Sequence, residues 1–185
     1  MRYHNAFTLK DGRQCVLRNA TEADGRSVFE CFIRTHEETD WLLSLPEEVS
    51  MTVEEEAKYL AEKAASDRSV ELVAEVQGRL VGTAGFEAVG SQSKVKHRAE
   101  FGISVEREYW GLGVGRALTA ACIECARAAG FFQLELEVVS ENTRAIALYR
   151  RMGFAEYGLN PRGFRSSHTG WQELILMRLE LESSD

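Results

Sequence analysis

Short apolar runs bounded by turn residues recur along the chain and are typical of β-strands. They predict strands at residues 14–18, 70–76, 80–89 and 98–105. A tight turn over residues 77–79 joins the second strand to the third, and a polar loop joins the third to the fourth. These last three strands are therefore predicted to form an antiparallel meander.

Helix signals occupy four other segments, at residues 21–35, 52–65, 113–129 and 143–152. In the second segment, the four residues from Thr52 to Glu55 have the spacing of a capping box. The third segment carries apolar residues at helical spacing on one side, which predicts an amphipathic helix with a buried face.

The rest of the chain supplies three more strands and a loop. Strands are predicted at residues 134–139, 154–159 and 171–181, whereas residues 36–50 are predicted to form a loop or a broken helix. Neither an internal repeat nor an interdomain linker is visible, so residues 1–185 are predicted to form a single domain. The element order βααβββαβαββ predicts an α/β (α+β) fold in which helices pack on a mixed sheet.

The chain is acidic, with a formal net charge of −7 at pH 7. Nonspecific binding to nucleic acid needs a basic face, so no nucleic-acid partner is expected. An acidic surface attracts cations, which favours a cationic substrate. No apolar run is long enough to span a bilayer, and residues 1–10 lack the apolar core of a signal peptide. A cytoplasmic protein without membrane contact is therefore expected.

Cys122 and Cys125 form a C-x-x-C pair, which is the spacing of many redox and metal-binding cysteines. Both lie in an Ala-rich apolar segment that is predicted to be helical, and no second Cys or His pair lies nearby. The pattern favours small buried side chains over a redox or metal pair, and no metal is expected.

A glycine-rich segment between a strand and a helix is the most informative feature of the chain. From Trp110 to Arg116 the sequence is W-G-L-G-V-G-R. The amides of residues 112–115 fall at the start of the predicted helix, where backbone donors are unsatisfied and the helix dipole favours an anion. This geometry suits a phosphate group, and Arg116 could add a fixed positive charge.

Other phosphate-binding motifs fit this segment less well. A dinucleotide fingerprint, G-x-G-x-x-G/A, would end at Arg116 or Leu118, neither of which is Gly or Ala, although Glu135 lies at a suitable distance for a ribose. The G-x-x-x-x-G-K-[ST] pattern of a P-loop is absent. A glycine-rich turn that binds no ligand stays open as an alternative.

Two motifs in this order resemble the acetyl-CoA-binding core of the GNAT (GCN5-related N-acetyltransferase) superfamily. The first resembles its pyrophosphate loop, Arg/Gln-x-x-Gly-x-Gly/Ala, with Trp110 at the Arg/Gln position. The second comprises residues 136–138 (LEV), Asn142, residues 145–149 (AIALY) and residues 152–154 (MGF). The resemblance implies a GNAT fold with a mixed, mostly antiparallel sheet of six to seven strands. It leaves open how Trp110 affects the adenosine end of the site.

The resemblance also implies acetyl-CoA as the cosubstrate and gives roles to individual residues. Tyr149 is implied to be the general acid for the coenzyme A sulfur, with a core tyrosine as the alternative. Asn142 is implied to bond the pantetheine amides, and it can cap a helix at the same time. The residues implied to bind the cofactor are Ile103, Val105, Leu112, Gly113, Val114, Gly115, Arg116 and Asn142.

The resemblance implies a general base that removes a proton from the acceptor amine. Two carboxylates are candidates for this base. In the ribosomal-protein alanine acetyltransferases of the resembled family, the residue corresponding to Glu137 lies beside the sulfur, and Glu100 corresponds to a common alternative. A carboxylate in a cleft needs a raised pKa or a water relay to take the proton. Either residue could instead steer the ammonium by its charge. His97 is a third candidate, although a histidine at a loop edge is more often solvated.

Trp41 and Trp171 are candidates for the acceptor pocket, with core packing as the alternative for both. The segment 170–177 (GWQELILM) resembles the closing strand of several small-molecule acetyltransferases, in which an aromatic residue and an acid precede a terminal Met. The acid at this place is Glu173.

The function implied by the resemblance is the transfer of an acetyl group from acetyl-CoA to an amine by direct attack on the thioester. The acidic balance favours a small-molecule primary amine, and a protein N-terminus stays open. An acyl-CoA-binding sensor without turnover is an alternative from a different class, and a nucleotide-dependent oxidoreductase is a third. Dimers are common in this family, so a homodimer is the oligomer to expect if the chain is not monomeric.

Overall fold

The computed structural model describes residues 2–166 and 168–181, which form a mixed sheet with helices against both faces. The helices are α1 (Gly25–Glu38), α2 (Val53–Ala65), α3 (Val114–Ala128) and α4 (Thr143–Arg151). The strands are β1 (His4–Thr8), β2 (Gln14–Asn19), β3 (Ser69–Val76), β4 (Arg79–Ala88), β5 (Arg98–Val105), β6 (Gln133–Val139), β7 (Ala155–Ser166) and β8 (Gly170–Glu180). No helix in these ranges has the length and apolar character needed to cross a bilayer.

The strands lie in the order β1-β2-β3-β4-β5-β6-β8-β7. Every neighbouring pair is antiparallel except β5 and β6, which are parallel. The predicted fold class, meander and mixed sheet are therefore confirmed. The number of strands was predicted too low, since the described residues contain eight rather than six or seven.

The strand that the sequence prediction missed is β1. Its five residues, HNAFT, are mostly exposed and show no sustained apolar alternation. They form a strand because their backbone groups pair with β2 in an antiparallel ladder from His4 opposite Arg18 to Thr8 opposite Gln14.

Strand β7 is longer than predicted, because it continues past residue 159 to Ser166. Phe164 lies opposite Gln172, and the ladder is irregular between Asn160 and Phe164, where Pro161 falls. Because β7 is the last strand of the sheet, a proline without an N–H can be accommodated there. The β7–β8 hairpin therefore forms one long edge of the molecule.

The beginning of α1 also differs from the prediction. A 3₁₀ turn covers Glu22–Asp24, and the α-helix starts only at Gly25. The Asp24 carboxylate accepts from the Thr21 backbone N–H at 2.8 Å, which fixes this turn. A β-carbon on Gly25 would lie 2.7 Å from the Ala57 β-carbon, so the glycine lets α1 touch α2. In α2 the predicted capping box is confirmed, since the Thr52 side chain and the Glu55 side chain each bond the other's backbone.

Two apolar clusters lie on opposite faces of the sheet. One contains Leu118 of α3 and Tyr149 of α4 together with Leu72 of β3. The other contains Leu60 of α2 and the next β3 residue, Val73. Because neighbouring residues of a strand point to opposite faces, α3 and α4 cover one face and α1 and α2 cover the other.

The two cysteines of the C-x-x-C pair lie in the core, as the sequence predicted. Cys122 and Cys125 are buried on α3, and neither forms a disulfide. Burial raises the pKa of the Cys125 thiol to about 11, so this side chain stays protonated near neutral pH. The pair behaves as two small apolar side chains.

Candidate active site

A cleft opens between the parallel strands β5 and β6. Residues 98–100 lie opposite residues 133–135, and no later rung joins the two strands, although they run on to Val105 and Val139. Their outer edges stay paired with β4 and β8 as far as those two residues. The facing edges beyond residues 100 and 135 thus have no strand partner in the described ranges. They present backbone groups to the gap and can pair with an extended ligand.

The closed end of this cleft is fixed by an ion pair between its two strands. The Arg98 guanidinium of β5 donates to both Glu135 carboxylate oxygens of β6, at 2.6 and 2.7 Å. The pair is bidentate, and Glu135 is only 8% exposed. Such a geometry is among the stronger charge-assisted contacts, so it helps to define where the strands begin to separate.

Four unpaired backbone amides lie at the open end of the cleft, at the start of α3. Gly111 and Gly113 adopt φ values of 78° and 111°, which an L-residue rarely adopts. The first intrahelical bond is the one from Ala117 N–H to Gly113 C=O, at 3.0 Å. Within the described residues, the amides of residues 113–116 find no acceptor. They can bind an anion at the positive end of the helix dipole.

The backbone of the glycine loop is open to its surroundings at two positions. A β-carbon built on Gly111 or Gly113 would meet no atom within 4 Å, so the backbone is open to a ligand there. The Leu112 amide differs from the expectation, because it donates to the Tyr109 carbonyl at 3.4 Å. The amides without a described acceptor are therefore those of residues 113–116, whereas the motif predicted free amides at 112–115.

Trp110 fills the position at which the resembled motif has Arg or Gln. Its indole N–H donates to the Val105 carbonyl at 2.6 Å, so one acceptor site of that carbonyl is already used. The guanidinium of Arg144, on α4, lies 4.4 Å from the Trp110 ring centroid. The Trp41 ring stacks on Trp110 with centroids 6.1 Å apart. Trp110 thus connects the end of β5, the start of α4 and the α1–α2 connection.

Tyr149 lies against the part of β5 where the cleft begins. Its ring packs edge-on against Phe101, the first β5 residue beyond the paired rungs, with centroids 6.2 Å apart. Burial raises the pKa of Tyr149, so the phenol stays protonated at neutral pH. Among the described residues, the only fully buried side-chain N or O without a partner belongs to Gln172. The Tyr149 hydroxyl, for which no partner is described, therefore remains accessible to solvent or ligand.

Asn142 begins α4 beside the cleft. Its side-chain oxygen accepts from the Ala145 N–H at 3.2 Å, so the predicted capping role is confirmed. The side-chain NH₂ group is not used in this cap and is available to donate to a ligand carbonyl.

The two candidate bases lie on the sheet face opposite Tyr149. Glu100 and Glu137 are both exposed, and strand alternation directs them to the α1–α2 face. Glu100 lies in the last paired rung, whereas Glu137 lies beyond it, beside the widening gap. His97 lies before the first rung and bonds Phe132 and Gln133 through its backbone carbonyl, which puts it at the closed end.

A cavity of about 720 Å³ adjoins the open end of the cleft. It is lined by the α1–α2 connection around Trp41, by Arg107 and Trp110 beside the glycine loop, by Glu141 after β6, and by Gln172 of β8. The predicted pocket residue Trp41 therefore lines a cavity next to the cleft. No cluster of three or more metal-ligating side chains occurs in the part of the chain that the structure describes.

Trp171 is not part of this cavity, in contrast to the sequence expectation. Its side chain is 59% exposed, and the Arg165 guanidinium lies 5.4 Å from its ring. The next residue, Gln172, lines the cavity because strand alternation turns it to the other face. Glu173 points with Trp171 away from that face, and its backbone carbonyl accepts from the Ser140 N–H at 2.9 Å. The sequence prediction chose the aromatic residue and missed the amide beside it.

The chain belongs to the acetyltransferase (GNAT) family, because the model of that family matches residues 33–154. The N-alpha-acetyltransferase RimI of Mycobacterium tuberculosis is 37% identical over 90 residues, which make up 49% of this chain and 54% of that protein. The chain spans about half, or less, of the length of the curated relatives that it matches first.

Solved structures match over nearly the whole chain. An acetyltransferase of the GNAT family from Streptococcus pneumoniae is 28% identical with a TM-score of 0.86, and the match covers 90% of this chain and 99% of that one. A GNAT superfamily phosphinothricin acetyltransferase from Sinorhizobium meliloti, in complex with AcCoA, has a TM-score of 0.78 at 24% identity, over 92% of this chain and 90% of that one. This second likeness shows the fold alone.

Proposed function

We propose that this chain transfers the acetyl group of acetyl-CoA to a primary amine of a small molecule. The observation that carries the proposal is the gap between β5 and β6 below the four unpaired amides of residues 113–116. The gap offers strand edges to an extended amide-containing arm, and the amides offer an anion site at its open end. Both parts of one elongated ligand, a diphosphate and a pantetheine arm, fit this arrangement.

In this proposal the chain's own groups orient the cosubstrate, which supplies an acetyl group already activated as a thioester. The amides of residues 113–116 and the Arg116 side chain bind the diphosphate. The edge of β5 at Ile103 and the free NH₂ of Asn142 bond the pantetheine amides. The carbonyl of Val105 keeps its indole partner and can accept one further bond.

The acceptor amine must lose a proton before it attacks. A primary ammonium has a pKa of about 10, so freeing it at neutral pH costs about 4 kcal/mol without help. Glu137 takes this proton through a water molecule, because it borders the widening part of the cleft on the α1–α2 face of the sheet. The amine nitrogen then forms the C–N bond as the C–S bond breaks.

Tyr149 gives a proton to the departing sulfur. Its phenol stays protonated because burial raises its pKa, and its position against Phe101 lies on the sheet face opposite the carboxylates. Acid and base thus act from the two sides of the gap. After the C–N bond forms, the nitrogen loses a second proton to solvent. Tyr149 has given one proton to the thiolate, and exchange with solvent then restores both Glu137 and Tyr149, so one proton is released overall.

A thiol-release assay with acetyl-CoA and a panel of amines tests this function. Tyr149→Phe is expected to lower kcat by about 10²–10³-fold while the affinity for coenzyme A stays unchanged. Glu137→Gln is expected to lower kcat more than Glu100→Gln does, with Glu62→Gln as an exposed control. Full activity of Tyr149→Phe would show that Tyr149 is not the general acid. Binding of coenzyme A without turnover of any amine would favour an acyl-CoA sensor.

A protein N-terminus is the second candidate acceptor, because a relative that matches 49% of this chain is named an N-alpha-acetyltransferase. The cavity next to the cleft favours a small molecule instead, since it is bounded by the α1–α2 connection on one side and by β8 on the other. Peptides with free N-termini belong in the same amine panel. A peptide that is acetylated more efficiently than every small amine would reverse this choice.

A further inference from the structure

The cavity beside the cleft carries a charge imbalance. Its lining includes one guanidinium, that of Arg107. The carboxylates in its lining are those of Glu37, Glu38, Asp40, Glu47 and Glu141. None of these five forms an ion pair with a Lys, Arg or His side chain within residues 2–166 and 168–181. The cavity is therefore a region of negative potential.

The carboxylates of this cavity differ from two buried carboxylates elsewhere in the protein. The buried Glu106 pairs with both Arg34 and Arg79, and the buried Glu135 pairs with Arg98. In the cavity, by contrast, neutral groups hold the carboxylates in place. Asp40 accepts from the Ser166 hydroxyl, and Glu141 accepts from the Gln172 side-chain NH₂ at 3.1 Å. Their positions are fixed while their charges remain available to a ligand.

Gln172 gives a second, independent sign of a ligand. The side chain lines the cavity and is only 5% exposed. Its NH₂ group donates to Glu141 and Thr169, whereas its carbonyl oxygen is buried and has no hydrogen-bond partner among residues 2–166 and 168–181. Exchanging the amide oxygen and nitrogen would not help, because the Glu141 carboxylate can only accept and needs the NH₂ group. An N–H donor that a ligand brings can satisfy a buried carbonyl of this kind.

The cavity and the cleft share a border. Trp110 lines the cavity, and its indole N–H bonds the last residue of β5. On the other side, Glu141 lines the cavity and directly precedes Asn142, the cap of α4. A molecule whose reacting amine lies in the cleft can therefore extend its other end into the cavity.

We propose that the acceptor is a small diamine or polyamine that carries two basic nitrogens. One nitrogen, uncharged, attacks the thioester at the cleft. The second stays protonated in the cavity between Asp40 and Glu141, and one of its N–H groups bonds the carbonyl of Gln172. This inference rests on the proposed acetyl transfer and adds the chemical class of the acceptor.

A matched set of amines tests the inference by thiol release at saturating acetyl-CoA. Butylamine, 1,4-diaminobutane and 4-aminobutanoate have the same chain length and carry a neutral, a cationic and an anionic tail. The kcat/KM for 1,4-diaminobutane is expected to exceed that for butylamine by about 10–100-fold, and 4-aminobutanoate is expected to be the poorest acceptor. Equal values for diamine and butylamine, or a preference for 4-aminobutanoate, would overturn the inference.

Variants locate the effect in the cavity. In the double variant Asp40→Asn/Glu141→Gln the diamine-to-butylamine ratio is expected to fall to about threefold or less. Gln172→Met is expected to raise the KM for the diamine more than the KM for butylamine, because only the diamine brings the N–H donor. Glu62→Gln removes an exposed carboxylate on α2 and is expected to leave the ratio unchanged. A ratio that survives the double variant and Gln172→Met contradicts the assignment.

Calorimetry separates failure of this inference from failure of the proposed function. If the protein binds coenzyme A but acetylates no amine, acetyl transfer is wrong, and 1,4-diaminobutane is then titrated into the coenzyme A-loaded protein. Binding that is at least about tenfold weaker in the double variant than in the wild type still supports the cation site. The absence of any heat from the diamine in the wild type rejects it.

Discussion

At the scale of single residues, Trp110 shows how a departure from a family motif is accommodated. The indole N–H bonds the Val105 carbonyl, and the ring lies between Trp41 and the Arg144 guanidinium. An Arg or Gln at this place could not make the same stacked contacts. Trp110 thus connects the glycine loop to the cavity beside the cleft, which a motif comparison alone could not reveal.

Glu71 of β3 provides a residue-scale prediction on pH. Burial raises the pKa of this carboxyl to about 7, and the nearby Glu56 and Glu87 raise it further against the opposing effect of Lys63. The unfolded chain releases this proton at lower pH than the folded chain does. The contribution of protonated Glu71 to the free energy of unfolding is therefore complete below about pH 4.5 and is lost as the pH rises to about 7. The loss is at most about 3 kcal/mol.

The Glu71→Gln variant cannot lose that proton, so its free energy of unfolding is expected to fall less than that of the wild type between pH 5 and pH 8. Urea unfolding of both proteins across this range measures the difference. Glu54→Gln removes an exposed carboxyl in the first turn of α2 and serves as the control. Parallel pH curves for Glu71→Gln and wild type would show that Glu71 does not titrate in this window.

The positions of residues relative to the cleft were predicted well where a motif fixed the spacing, and less well where only residue type was available. Asn142 and Tyr149 lie beside the cleft as the second motif implied. Trp171 was chosen for its aromatic side chain, whereas the neighbouring Gln172 lines the cavity, because one step along a strand reverses the direction of a side chain. Which face of a strand borders a cavity depends on the neighbouring elements, and the sequence of the strand alone does not show it.

At the scale of elements, the loop before α3 connects local backbone geometry to ligand binding. Gly113 adopts a φ of 111°, and a β-carbon built on it would meet no atom within 4 Å. A side chain at this position strains the backbone whatever the available room. The loop is therefore expected to be sensitive to the smallest substitution.

Gly113→Ala is expected to raise the KM for acetyl-CoA at least about tenfold and to lower stability by more than about 1 kcal/mol. Gly78→Ala is the matched control, since Gly78 has a φ of 79° in the β3–β4 turn and open space around it. It is expected to lower stability with an unchanged KM. Steady-state kinetics measures the KM and thermal unfolding measures the stability. An unchanged KM in Gly113→Ala would show that the loop does not bind the cofactor.

The predicted elements failed mainly at the edges of the sheet. The central strands carry apolar runs that the pattern detects, whereas β1 and the outer part of β7 are exposed and polar. Their strand conformation comes from pairing with β2 and β8, which is a tertiary effect. The same limit applies to the start of α1, where the contact of Gly25 with Ala57 decides the geometry.

At the scale of the whole molecule, the candidate site is arranged around the gap between β5 and β6. Helices α3 and α4 place the amides and Tyr149 on one side of the gap, and the α1–α2 connection bounds the cavity on the other. The order of elements was predictable from the sequence, and the resemblance implied a cofactor site. The gap itself depends on where two parallel strands stop pairing, which no local pattern encodes.

The most direct test of this account is a calorimetric titration of the folded protein with coenzyme A and, separately, with pantetheine, which lacks the diphosphate and adenosine. Coenzyme A is expected to bind at least about 100-fold more tightly, because only its diphosphate can reach the amides of residues 113–116. If coenzyme A gives no heat, or binds no more tightly than pantetheine, these amides do not form the cofactor site.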